Sequence, residues 1–189
     1  MKFTKSAIPD VVILEPEIFK DSRGYFFESY RNDIFVKQIG EINYVQENES
    51  LSFFGSLRGL HYQLPPFTQS KLVRVVTGRV LDIAVDIRRD SPTFGRYVSI
   101  ELSGHNKKQL FIPRGFAHGF VVLSKKAIFQ YKVDNYYSKS YEQGIIYNDP
   151  ILNIDWHINE ENLILSEKDK QYPSLNEAEL FNYEEMLYE

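Results

Sequence analysis

The chain has 189 residues, 43% of them hydrophobic and 15% aromatic, which suffices for one domain with a sizeable core. Its 22 basic and 26 acidic residues leave a net charge of −4 with no long single-sign run, which argues against a nucleic-acid surface but permits a few arginines around a phosphate. There are no cysteines, so disulfides, thiolate nucleophiles and cysteine-based metal sites are excluded. The N-terminal MKFTKSAIPD has no apolar signal core, and no apolar run approaches the roughly 18–20 residues that span a bilayer. The expectation is a soluble, cytoplasmic protein with a single domain over residues 1–189.

In chain order the dominant signal is β. VVIL (11–14) and YFFESY (25–30) read as strands, and NDIFVKQIG (32–40) as a short helix with Asn32 or Asp33 as N-cap and Gly40 as C-cap. SLRGLHYQLPP (56–66) opens as a strand with Leu57 and Leu60 as core candidates, interrupted by Arg58, Gly59 and His61. Strict alternation puts Arg58 and His61 on opposite faces, so bringing both to one pocket requires a bulge, expected at Gly59. KLVRVV (71–76), RVLDIAVDI (79–87), RYVSIEL (96–102), QLFI (109–112), GFVVL (119–123) and AIFQYKV (127–133) follow as strands. Within 79–87, Leu81, Ile83, Val85 and Ile87 share one face; Val80, Asp82, Ala84 and Asp86 share the other, which suggests a polar barrel interior or cleft. SLNEAELFNYEEMLYE (174–189) reads as an amphipathic helix with Ser174 as cap and Leu180, Met186 and Leu187 among its apolar positions. The fold class is mainly β, a jelly-roll sandwich or barrel with a few short helices, including this C-terminal one.

Chemistry-bearing residues cluster in several places. A metal site in such a barrel wants two histidines one residue apart and a nearby glutamate; position 63 is Gln63 and no glutamate follows within reach, so no metal is expected. An imidazole titrates near neutrality, which suits His61 to proton abstraction if a carboxylate orients it. Arg58 and Lys71 are placed to hold an anion or stabilise developing negative charge. His118 sits between Ala117 and Gly119, small neighbours that either admit a ligand or make a tight strand corner. Tyr131 ends a strand and needs a polar partner if buried, and Tyr136 and Tyr137 suit either core or stacking surfaces. Asp169, in SEKDK, either folds back onto a histidine or belongs to a solvated loop; spacing alone favours the loop.

DSRGYFFE, RGLHYQ, KLVRVVTG, LDIAVDIR, SPTFG, IPRGFAHGF, YKVDNYY, NDP, IDW and LSEKD occur in this order between about residues 8 and 173. Together they resemble the dTDP-4-dehydrorhamnose 3,5-epimerase family. The resemblance implies a cupin-like jelly-roll homodimer without metal or other cofactor. It implies conversion of dTDP-4-dehydro-6-deoxy-D-glucose to dTDP-4-dehydro-L-rhamnose. By the same resemblance His61 is the base, Asp169 its partner, Tyr131 the proton donor and Lys71 the stabiliser of the C4 oxyanion. His118 lines the sugar pocket with Asp82 as partner, and Gln46, Asn48, Arg58 and Tyr137 contact the nucleotide region. Arg23, Phe26 and Glu28 reach the ligand across the dimer interface from an N-terminal segment. Two alternatives share these motifs: an epimerase acting at C3 or C5 only or on a related nucleotide-linked 4-ketosugar, and a catalytically idle sugar-nucleotide binding module.

Overall fold

The structure, a computed structural model, describes residues 1–185 and 187–188. Strands β1 (Lys2–Lys5) and β2 (Val12–Glu15) precede a hairpin of β3 (Phe19–Asp21) and β4 (Gly24–Phe26), then helix α1 (Asn32–Gln38). The barrel strands follow: β5 (Gln46–Phe53), β6 (Leu57–Gln63), β7 (Lys71–Thr77), β8 (Arg79–Asp86), the short β9 (Arg88–Arg89) and β10 (Tyr97–Ser103). The series closes with β11 (Gln109–Ile112), β12 (Phe116–Val122), β13 (Lys126–Val133), β14 (Glu142–Gly144), a 3₁₀ turn (Glu160–Asn162) and β15 (Phe181–Asn182). A six-stranded sheet in the order β1-β2-β11-β7-β13-β5 faces a five-stranded sheet in the order β10-β8-β12-β6-β14. This is the jelly-roll sandwich anticipated from the alternating strands, cupin-like as the family resemblance implies. Among the described residues no helix is long and apolar enough to cross a membrane.

Alternation along β8 explains how the layers assemble. Val80 and Ala84 turn into the space between the sheets, where they meet Val73, Val75, Phe116, Phe120 and Phe129. Asp82 and Asp86 lie on that same side and are both fully buried. Leu81, Ile83, Val85 and Ile87 turn to the opposite face, which is buried as well, under Ile145, Leu152, Trp156, Leu175, Ala178 and Phe181. The C-terminal part of the chain therefore forms a third layer over the five-stranded sheet.

Among the described residues that layer holds no α-helix. Residues 174–185 run through turns into β15, which pairs in parallel with β9 at Phe181↔Arg88 and Asn182↔Arg89. The expected C-terminal helix is thus corrected: its Leu180 and Leu187 pack against the sheet from irregular chain, and its Met186 lies outside the described residues. The apolar spacing that mimics a helix serves contacts with a flat sheet. Two smaller corrections concern the N-terminal region. The strand expected over 25–30 stops at Phe26, and α1 is capped by Arg31, with no side-chain cap bond from Asn32 or Asp33.

β6 carries the irregularity that its sequence demanded. His61 pairs with His118 and Arg58 with Phe120, so two residues of β6 face the single Gly119 of β12. Gly59 adopts φ +147°, and a Cβ there would lie 2.5 Å from the Cα of Gly119. Glycine is required on both counts, conformational and steric. Gly59→Ala should lower stability by about 2–4 kcal/mol through combined backbone strain and overpacking; chemical denaturation of the purified variant measures it.

Candidate active site

A cavity of about 750 Å³ is walled by both sheets and by the chain around 164–169. The bulge at Gly59 restores inward orientation at His61 after Arg58, and both side chains line this space. β5 contributes Asn48, and its neighbour Ser52 accepts a hydrogen bond from Arg58 Nε at 3.0 Å. β7 opens with Lys71, β12 supplies His118 and β13 supplies Tyr131. Tyr137 and Asp169 complete the lining from loops.

His61 Nε2 lies 2.6 Å from Asp169 Oδ1, which leaves Nδ1 as the nitrogen able to take a proton. Asp169 is itself fixed, because its Oδ2 accepts from Ser166 Oγ at 2.9 Å and its N–H donates back to that hydroxyl. Burial alone would raise the Asp169 pKa, but the hydrogen bonds from His61 and Ser166 outweigh it and hold the carboxyl below its usual range. The solvated-loop alternative for Asp169 is therefore overturned; the residue is only 3% exposed.

Lys71 is buried, and its Nζ approaches the His61 carbonyl oxygen at 3.4 Å. Burial lowers its pKa to about 8 against the opposing pull of Asp82 and then Glu142. Asp82, beneath the cavity, presents both oxygens to His118 Nε2 at 3.1 and 3.0 Å. Burial still wins at His118 over the pull of Asp82, and its pKa is lowered. Burial likewise raises the Tyr131 pKa, keeping its proton in place at neutral pH. His61 and Tyr131 stand on strands of opposite sheets, β6 and β13.

The remaining expected site residues divide. Gln46 supports the lining, donating to Asn48 Oδ1 at 2.9 Å and accepting from the Tyr137 N–H at 3.1 Å. Arg23, Phe26 and Glu28 are not brought to the cavity within this chain. Arg23 pairs with Asp21 at 2.6 Å, Glu28 lies 3.9 Å from Arg31, and Phe26 on the hairpin is 66% exposed. Gln63, which stands where a metal-binding histidine would, spends its amide on backbone groups, donating to Phe67 and Tyr136 carbonyls and accepting from Ser138 N–H.

Sequence reasoning passed over Glu142 and Lys168. They pair across the cavity wall at 2.8 Å, and Glu142 Oε2 also accepts from the Tyr137 hydroxyl at 2.9 Å. Lys168 stands beside Asp169 in SEKDK and was legible by that adjacency, whereas Glu142 sits in YEQG with no pattern to mark it. A base oriented by a carboxylate, a buried cation and a protonated phenol around one cavity form a set suited to proton transfer next to a carbonyl.

The model of the family described as dTDP-4-dehydrorhamnose 3,5-epimerase matches residues 5–177. A dTDP-4-dehydrorhamnose 3,5-epimerase of Shigella flexneri is 50% identical over 182 residues, covering 96% of this chain and 99% of the relative. The crystal structure of a dTDP-6-deoxy-D-glucose-3,5-epimerase from Legionella pneumophila, in complex with dTDP-4-keto-L-rhamnose, superimposes with a TM-score of 0.93 at 46% identity over 97% of this chain and 99% of that one. A 3'-monoepimerase from Streptomyces bikiniensis in complex with dTDP-quinovose superimposes with a TM-score of 0.88 at 32% identity, covering 94% and 92% of the two chains. With the fold, the cavity and these likenesses in agreement over nearly its whole length, the chain belongs to the dTDP-4-dehydrorhamnose 3,5-epimerase family.

Proposed function

We propose that the protein inverts C3 and C5 of dTDP-4-dehydro-6-deoxy-D-glucose, giving dTDP-4-dehydro-L-rhamnose by way of enolates. The observation that carries this reading is one cavity holding the His61–Asp169 pair, Lys71 and Tyr131. Hydrogens on C3 and C5 flank the C4 ketone, so loss of either leaves charge that the ketone oxygen takes up. His61 Nδ1 accepts the proton while Asp169 steadies the imidazolium. Lys71 donates to the C4 oxygen as it becomes an oxyanion, in a site where burial strengthens the interaction. Tyr131, on the facing sheet, returns a proton to the opposite side of the ring, which completes inversion.

Arg58 takes the diphosphate, helped by Asn48, Gln46 and Tyr137 around the nucleotide, and His118 lines the sugar end. The remaining nucleotide contacts come from a second copy in a homodimer, whose hairpin delivers Arg23 and Phe26 and whose following segment delivers Glu28. Two exposed surfaces support this. Phe19, Tyr25 and Phe26 crowd the hairpin, and β5 ends its sheet with Leu51 and Phe53 exposed beside an unpaired edge. We place the enzyme in the cytoplasm, acting as one domain. A second reading is inversion at one carbon only, favoured by the likeness to the Streptomyces bikiniensis 3'-monoepimerase.

Proton NMR of the reaction in D2O separates the readings: deuterium at both C3 and C5 is expected, and deuterium at one carbon would move the assignment to a single-position epimerase. His61→Ala should abolish exchange, a loss of at least about 100-fold, and exchange that survives it would remove the histidine as base. Tyr131→Phe should spare exchange more than net inversion. Because Lys71 must carry its proton, kcat/KM should fall as pH rises through about 8, and Asp82→Asn, by removing the largest opposing pull, should move that fall to lower pH.

A further inference from the structure

Asp169 holds one nitrogen of His61, at Nε2. Tyr172, three residues further along the same turn, meets the ring edge-on, with centroids 5.6 Å apart and planes at 65°. The turn is closed by Lys170 N–H to the Ser166 carbonyl and Gln171 N–H to the Lys168 carbonyl, so one short segment delivers both contacts. Tyr172 is absent from the cavity lining and reaches the site through His61 and through Lys168, whose Nζ stands 6.0 Å from the centre of its ring.

The tyrosine has a seat made for it. Gly144 stands directly opposite His61 in the β14–β6 ladder. A Cβ at Gly144 would lie 2.6 Å from three ring atoms of Tyr172, while no left-handed φ calls for glycine there. The missing side chain is thus explained by the ring and not by the backbone. The Tyr172 hydroxyl is buried without a hydrogen-bond partner among the described residues, which leaves the ring as the working part.

We propose that Tyr172, seated on Gly144, is the positioning residue that fixes the plane of the His61 imidazole, so that Nδ1 points at the substrate carbon. The proposal rests on His61 being the base. Misorientation of a base costs rate while leaving substrate binding in place.

The test compares kcat, KM and solvent-deuterium exchange for Tyr172→Ala, Tyr172→Phe, Gly144→Ala and the Gly144→Ala/Tyr172→Ala double variant, with circular dichroism confirming the fold of each. Tyr172→Ala should lower kcat and exchange roughly tenfold with KM within about twofold, and Tyr172→Phe should stay within about twofold of the parent. Gly144→Ala, which displaces the ring, should match Tyr172→Ala, and the double variant should be no worse than either. If Tyr172→Ala does not fold, Gly144→Ala and Tyr172→Leu carry the comparison. An undiminished kcat in Tyr172→Ala, a Tyr172→Phe as slow as Tyr172→Ala, or losses that multiply in the double variant would each overturn the proposal. His61→Ala run in parallel separates the two levels. Exchange that survives it refutes the base itself, whereas exchange lost there but intact in Tyr172→Ala refutes only the positioning role.

Discussion

The contact between Gly59 and Gly119 decides what the cavity contains. Pleating sends Leu57, Leu60 and Tyr62 of β6 into the layer beneath the C-terminal chain. Without the extra residue, parity would turn His61 to that apolar side and Leu60 into the cavity. The bulge needs two backbones to approach more closely than any side chain permits, and two glycines meet that need. From it follow the pairing of His61 with Asp169, the reach of Arg58 to Ser52, and the neighbourhood of His61 and His118 across the ladder.

The interior that results is divided between oil and charge. Phe120 and Phe129 stack at 4.1 Å, and both line the cavity that also holds Lys71 and His118. Burying ionisable groups beside such rings is costly unless each finds a partner. Asp82 answers to His118 and Lys71 together, and Glu142 to Lys168 and Tyr137. The same low dielectric that makes these groups expensive would strengthen their action on charge forming in a reaction, an advantage that the rim of the sandwich would not offer.

How far this could be read from residues alone varied with the physics involved. Strands with alternating apolar faces, such as β8 and β13, were plain from their order, and so was the need for a break at Gly59. β5 was not, because Gln46, Asn48, Ser50 and Ser52 give its inner face no apolar mark; that face supports the site, not the core. The C-terminal segment misled for the opposite reason, since its apolar residues are real core contacts without helical geometry. Asp169 was invisible to local pattern, because its partner lies far away in sequence, and only the ordered set of family motifs pointed to it.

That distance has a consequence for how the enzyme comes to exist. His61 and Asp169 are separated by 108 positions, with half of the six-stranded sheet and four strands of the five-stranded one formed by the chain between them. A chain leaving the ribosome N-terminus first can complete the strands bearing His61, Lys71, His118 and Tyr131 before the carboxylate has been synthesised. Closing so long a loop is also among the slower contacts for a chain to find. The segment that brings Asp169 to His61 also supplies one wall of the cavity, so the pair and that wall are completed together, late in assembly.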